Sequence, residues 1–392
     1  MELERLLSRA ALTAPAGWRG SAWQRATIHL GGGVPDPSSF PIDALAQEAE
    51  SVLRADGSEA LQYGGLYGYE GLAEWVLAKM TRDDGRWLER EQLMFTNGSS
   101  QAFDLLCRAL LDPGDTVVVE GPTFPGFLRT LEAHRARIVA VQMDEQGMQV
   151  ERLTSLLRRR RVKFIYTIPD FNNPTGAVLS LERRRELLWL AQQHEFVIVE
   201  DDPYHELRFE GADMPSLFSM DDGASVAKLR TFSKLLAPGL RVGWAAGPKP
   251  LIEAMARVRQ DMGGSPFVAR IVARYAASGQ LEANVPRLRQ LYAGKRDALA
   301  EALEQHCPDA RFLTPHGGFF LWLELPEGVD ALRLQELALE EDVGFVPGVA
   351  FYPDNRDNRG RDHLRLAFSY VDAPTLREGA RRLGKALERA RD

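Results

Sequence analysis

Short β-rich runs recur through the middle of the chain, TVVVE (116–120), ARIVAVQM (136–143), KFIYTIP (163–169), FVIVEDD (196–202), KLRTFS (228–233) and RVGWAAG (241–247), and helix-patterned stretches separate most of them. SSQAFDLLCRALL follows residue 98 and LERRRELLWLAQQH follows residue 180. Strands this apolar are buried on both faces, and their alternation with helices predicts an α/β fold: a mostly parallel sheet with helices on both sides. In such sheets ligands sit beyond the carboxyl ends of the strands. The polar residues with useful chemistry fall just there.

After about residue 265 the pattern becomes helix-rich (VPRLRQLYAGKRDALAEALEQH), followed by the apolar GGFFLWLEL and the strand-like HLRLAFSY, which reads as a smaller α+β unit. The expected division is 1–45 as an N-terminal segment packing on the small unit and the site, 46–275 as the large domain and 276–392 as the small one. With 392 residues the chain has length enough for both.

Charge narrows the partners. Lys and Arg total 48 against 55 Asp and Glu, a net charge of −7 spread along the chain, which argues against nucleic acid and anionic membranes. Cys107 and Cys307 lie too far apart in sequence to suggest a disulfide framework or a metal site. No run approaches the roughly 20 apolar residues of a membrane span, and MELERLLSRAAL lacks the pattern of a secretion signal. A cytoplasmic location is the expectation.

Four stretches carry candidate chemistry. In TNGSSQAFDL, Gly98, Ser99 and Ser100 stand directly before a helix, either as an ordinary cap or as a phosphate cradle at its positive end. In PDFNNPTGAVLS, Asn172, Asn173, Pro174 and Gly176 form a turn after a strand, where an Asn amide can also be presented to a ligand. VIVEDDPYHEL ends a strand in Glu200, Asp201, Asp202 and Tyr204; such acids are solvated or capping unless one points inward and meets a cation. TFSKLLAPGLRVGW places Lys234 in a confined setting and brings Arg241 back across a Pro238-Gly239 turn. A desolvated lysine near another cation has a lowered pKa, and its neutral amine is what attacks a carbonyl. The RRRR run at 158–161 reads as a solvated helix end, and His205 and His316 as structural.

Together these stretches resemble the pyridoxal-phosphate-dependent aminotransferases of fold type I, class I/II, with a texture like the 2-aminoadipate aminotransferase branch. The resemblance runs from GGGVPDPSSFP through NNPTG and EDDPY to LRLAFS. It implies pyridoxal 5′-phosphate held by an aldimine to Lys234, which also carries the proton, and a ping-pong exchange between an L-amino acid and a 2-oxo acid. It further implies Asp201 on the pyridine nitrogen, Tyr204 and Asn173 on the phenolic oxygen, and Phe124 stacked on the ring. Ser99, Ser100, Ser233 and Arg241 resemble phosphate ligands, with Gly98 allowing close approach. Arg365 resembles the grip on the substrate α-carboxylate, with Gly33 and Asn173 beside the substrate. Tyr63 resembles a tyrosine that reaches the neighbouring subunit's cofactor, which implies a homodimer with shared sites; Tyr67 and Tyr69 are rivals for that role. Arg19 or Arg25 are candidates for a distal substrate acid. The same lysine also permits elimination, decarboxylation, racemisation or an oxidase-like reaction, and a ligand-sensing relative without catalysis is a remoter reading.

Overall fold

The computed structural model describes residues 3–7, 22–353 and 358–391. Arg19 lies outside the described residues. In chain order the strands are β1 (Ile28–His29), β2 (Leu93–Thr96), β3 (Thr116–Gly121), β4 (Arg137–Asp144), β5 (Gly147–Met148), β6 (Val162–Thr167), β7 (Val197–Asp201), β8 (Val226–Thr231), β9 (Gly243–Ala246), β10 (Arg311–Phe312), β11 (Phe320–Glu324), β12 (Val343–Gly344), β13 (Val346–Pro347) and β14 (His363–Ala367).

Eight of these form one sheet in the order β2-β9-β8-β7-β6-β3-β4-β5. From β8 through β4 the neighbours are parallel. Strand β9 is antiparallel to both β8 and β2, and β5 to β4. Connection length explains the β8–β9 and β4–β5 pairs, since a parallel return needs a crossover of a dozen or more residues. The segment between β8 and β9 is shorter than that and turns straight back, so the Lys234–Arg241 stretch is the connection of an antiparallel pair rather than a crossover.

Period-2 alternation sends each strand's side chains to two cores. Val117, Val119, Phe164, Tyr166, Val199 and Leu229 pack with Phe103, Phe127 and Met255 on one face. Val118, Ile165, Ile198 and Val226 join Leu187, Leu190 and Phe218 on the other. The helix Ser99–Leu110 buries Ala102, Phe103, Leu106 and Cys107, the i, i+3, i+4 spacing of one helical face. The helix Leu181–His194 starts at Ser180, whose hydroxyl accepts from Arg183 N, and stops at Glu195 in the left-handed region.

A second, antiparallel sheet has the order β10-β11-β14-β13. Strand β1 pairs with β12, Ile28 opposite Val343, so the N-terminal segment is tied to the C-terminal part of the chain. Lys295 on the helix Gln280–His306 reinforces this by donating to Asp36 Oδ2 at 2.6 Å. Among the described residues no helix is long and apolar enough to cross a membrane.

Candidate active site

Strand alternation divides the three acids after β7. Glu200 and Asp202 share one side: Glu200 accepts from Leu217 N and Phe218 N at 2.8 and 3.0 Å, and Asp202 lies 3.3 Å from Lys228 and 3.5 Å from Arg230. Asp201 points the other way, into a cavity of about 170 Å³. Its Oδ2 accepts from the Tyr166 hydroxyl at 2.9 Å, while Oδ1 is buried without a hydrogen-bond partner among the described residues. Burial pushes its proton affinity up to about 7; the Tyr166 hydrogen bond opposes that, the Asp202 charge adds to it, and the Lys234 charge opposes it.

Lys234 faces Asp201 across this cavity. Its Nζ donates to Gly33 O at 3.1 Å and lies 5.8 Å from the Tyr204 ring centre and 5.6 Å from that of Phe319. Burial brings the amine down to about 8, with Asp201 opposing and Arg365 and Arg241 assisting. The amine thus gives up its proton at lower pH than an exposed lysine does.

One end of the cavity is built for an anion. The helix Ser99–Leu110 is capped by Gly98 itself, with no side-chain cap bond, so Ser99 and Ser100 occupy the first turn, where helix N–H groups lack intrahelical partners. Gly98 has φ +79°, and a Cβ there would stand 2.5 Å from Arg241 Nη2. Only glycine admits the guanidinium so close. Arg241 follows the short turn Pro238–Leu240 and donates to Asn97 O and Pro238 O at 3.1 and 3.2 Å. The Ser233 and Thr231 hydroxyls lie 2.8 Å apart beside it.

Arg365 presents a buried guanidinium to the same cavity. Arg365 is 3 % exposed, donates from Nη1 to Asn173 Oδ1 at 2.8 Å and from Nη2 to Gly31 O at 2.5 Å, and leaves Nε buried without a partner among the described residues. The rings of Phe320 and Phe351 lie 4.3 and 4.9 Å from its guanidinium carbon. Burial lowers its pKa to about 10. Phe124 forms part of the wall, its ring over Gly126, where a Cβ would come within 2.5 Å of it.

Lys234, Asp201, Tyr204, Asn173, Phe124, Gly98, Ser99, Ser100, Ser233, Arg241, Gly33 and Arg365 line this one cavity, whereas Tyr63 and the distal-acid candidate Arg25 do not. Tyr63 is 78 % exposed and borders a neighbouring cavity of about 610 Å³ that shares Arg241 with the first. Of its rivals, Tyr69 lies under the Arg270 guanidinium at 4.4 Å and Tyr67 packs against the core. Arg25 is exposed. His205 shares a hydrogen bond with Asp170, which Arg184 and Arg208 also hold, and His316 is exposed, its backbone oxygen accepting from Phe209 N. Arg158–Arg161 are exposed at the end of a short helix.

The geometry agrees with what the chain is similar to. The profile described as aminotransferase class I and II matches residues 26–383. The chain belongs to that family. It is 36% identical over 373 residues to aromatic-amino-acid aminotransferase 1 of Thermococcus litoralis, covering 92% of this chain and 88% of the relative. It is 35% identical over 370 residues to a 2-aminoadipate transaminase of Thermus thermophilus, covering 92% and 90%. Among solved structures, an alpha-aminoadipate aminotransferase from Thermus thermophilus, complexed with N-(5′-phosphopyridoxyl)-L-leucine, superimposes with a TM-score of 0.92 at 33% identity, over 100% of this chain and 99% of that one. The fold is thus that of a fold type I aminotransferase, and the chain is a pyridoxal-phosphate-dependent aminotransferase.

Two residues escaped the reading of the sequence. Glu120, at the end of β3, is wholly buried and accepts from Thr167 Oγ1 at 2.6 Å, Ile168 N at 2.9 Å and Asn172 Nδ2 at 2.7 Å, so it fixes the turn that presents Asn173. Burial pushes its pKa up to about 7. An acid closing the apolar run TVVVE was the available signal. Tyr166, inside KFIYTIP, gave no signal apart from its type.

Proposed function

We propose that this aminotransferase moves the α-amino group of an L-amino acid to a 2-oxo acid, with Lys234 as anchor and proton carrier. The observation that carries the reading is one buried lysine sharing a cavity with two unsatisfied buried groups, Asp201 Oδ1 and Arg365 Nε. These groups fit a cofactor with a cationic ring nitrogen and a substrate with a carboxylate. The cradle of Gly98, Ser99, Ser100, Ser233 and Arg241 fits a phosphate.

When bound, pyridoxal phosphate supplies the aldehyde that takes the amino group and the ring that stores the electron pair left at the substrate's α-carbon. Asp201 would keep a proton on the ring nitrogen, Tyr204 and Asn173 would serve the phenolic oxygen, and Phe124 would lie against the ring. Arg365 would orient the α-carboxylate next to Gly33, and Lys234 would carry the proton taken from the α-carbon. The large-domain part of the chain, 46–275, would hold the cofactor, and 276–392 would bring Arg365 to it. Amino-group transfer from a panel including aromatic amino acids and 2-aminoadipate, to 2-oxoglutarate or pyruvate, tests the assignment. Release of ammonia or carbon dioxide without transfer would sink it.

The pKa of Lys234 gives a pH prediction. Only the neutral amine condenses with an aldehyde, and the group is neutral above about 8. Reconstitution of cofactor-free protein with pyridoxal phosphate should accelerate about tenfold per pH unit below that value and level off above it. Growth of the bound cofactor's visible absorption follows the rate; a flat profile across that range would contradict the assignment.

The partner is a second copy of this chain. The exposed Tyr63 lines the larger cavity together with Arg241, so a neighbouring subunit seated there would stand beside the phosphate cradle. In a homodimer, Tyr63 of one subunit would complete the other's phosphate site. Mixing Lys234→Ala and Tyr63→Ala subunits should then give more activity than either variant alone, because a hybrid holds one site with both residues intact. Absence of complementation, with dimers present by light scattering, would place Tyr63 outside the shared site.

A further inference from the structure

The two oxygens of Asp201 have different fates, and Tyr166 makes the difference. Tyr166 sits on β6 opposite Val199 of β7 and is fully buried. Its ring centre lies 5.3 Å from that of Phe103 and 5.0 Å from that of Phe127, which are themselves stacked at 4.0 Å. This packing holds the ring, and the hydroxyl meets Asp201 Oδ2 at 2.9 Å. The other nearby acid, Glu120, already accepts from Thr167, Ile168 and Asn172.

Resting on the cofactor placement above, we infer that Tyr166 is a positioning residue for Asp201: its hydroxyl pins Oδ2 so that Oδ1 alone faces the ring nitrogen, and it opposes protonation of the carboxylate. A carboxylate anchored at one oxygen cannot swing about its Cβ–Cγ bond, so the acceptor that meets the ring is fixed in direction. The choice of a neutral donor matters as much. Burial and the Asp202 charge both drive a proton onto Asp201, and a hydrogen bond to the anion opposes them. An arginine or lysine in the same place would also oppose them, but it would pair with the carboxylate and cancel the charge that the ring nitrogen needs. Tyrosine stabilises the anion without neutralising it. Phenylalanine fills the same space and does neither.

The test is a double-mutant cycle of Tyr166→Phe and Asp201→Asn. Cofactor-free proteins are titrated with pyridoxal phosphate by fluorescence quenching, the absorption spectrum of the bound cofactor is recorded, and kcat and KM are measured on reconstituted enzyme. Tyr166→Phe is expected to weaken cofactor binding by about tenfold, as for loss of one hydrogen bond to a charged group. It should also lower kcat by a similar factor with KM within about twofold, and change the cofactor's absorption. Added to Asp201→Asn, the same substitution should change binding and kcat by less than about twofold, because residues acting as one unit are not additive. Wild-type-like binding and spectrum in Tyr166→Phe would overturn the inference, as would an undiminished effect in the Asp201→Asn background, which would make Tyr166 a packing residue. Failure of the wild-type protein to bind pyridoxal phosphate would instead overturn the placement of the cofactor itself.

Discussion

Lys234→Ala is expected to lower turnover by at least about 10⁴-fold and to remove the visible absorption of the bound cofactor, because one amine is both the covalent anchor and the proton carrier. The fold should not suffer. Among the described residues the amine's hydrogen bond is to Gly33 O, a carbonyl at the cavity edge. The sign of the pKa shift makes the stability expectation sharper. A lysine whose folded pKa falls to about 8, below its unfolded value near 10.5, costs stability at every pH under the folded value, and that cost fades as pH rises toward the unfolded one. At neutral pH the alanine variant should therefore unfold at a temperature no lower than the parent does. Activity lost with the melting temperature kept identifies a chemical role; activity lost with a large drop in melting temperature would make Lys234 a structural residue.

How much of this was legible beforehand differs from residue to residue. The α/β architecture followed from strand runs that are apolar on both faces, and the Lys234–Arg241 pair followed from the turn between them. The antiparallel placement of β9 did not, although the short connection after β8 contains it: hydrophobic pattern reports burial and period, not strand direction. The residues alone left Asp201 level with Glu200 and Asp202; the family resemblance singled it out, and strand alternation, which turns it into the cavity, gives the physical reason. The Arg365–Asn173 contact joins residues 192 positions apart, and no spacing rule reaches across two sheets. Tyr166 was least legible of all. An aromatic in a buried strand matches the pattern of a core residue, and only its hydroxyl, meeting a carboxylate on the next strand, separates it from Phe164 two places earlier.

Arg365→Lys should lower kcat/KM by about 10²- to 10³-fold, mainly through KM. Arg365 is a buried cation with no carboxylate in hydrogen-bonding reach among the described residues, and such a charge is costly unless something else completes it. Two of its nitrogens are committed to Asn173 and Gly31, and the buried Nε has no partner among the described residues. An α-carboxylate would satisfy that remaining demand. Lysine keeps a charge but has no planar fork, so it cannot hold Asn173 and Gly31 and still offer a directed pair of N–H groups. It also loses the guanidinium's contacts with the Phe320 and Phe351 rings. The α-carboxylate is common to all donors, so the loss should be of one size across aromatic, aliphatic and acidic amino acids, leaving their ratios of kcat/KM unchanged. A loss confined to acidic donors would instead show Arg365 reading the substrate side chain, and the α-carboxylate would then need another cation.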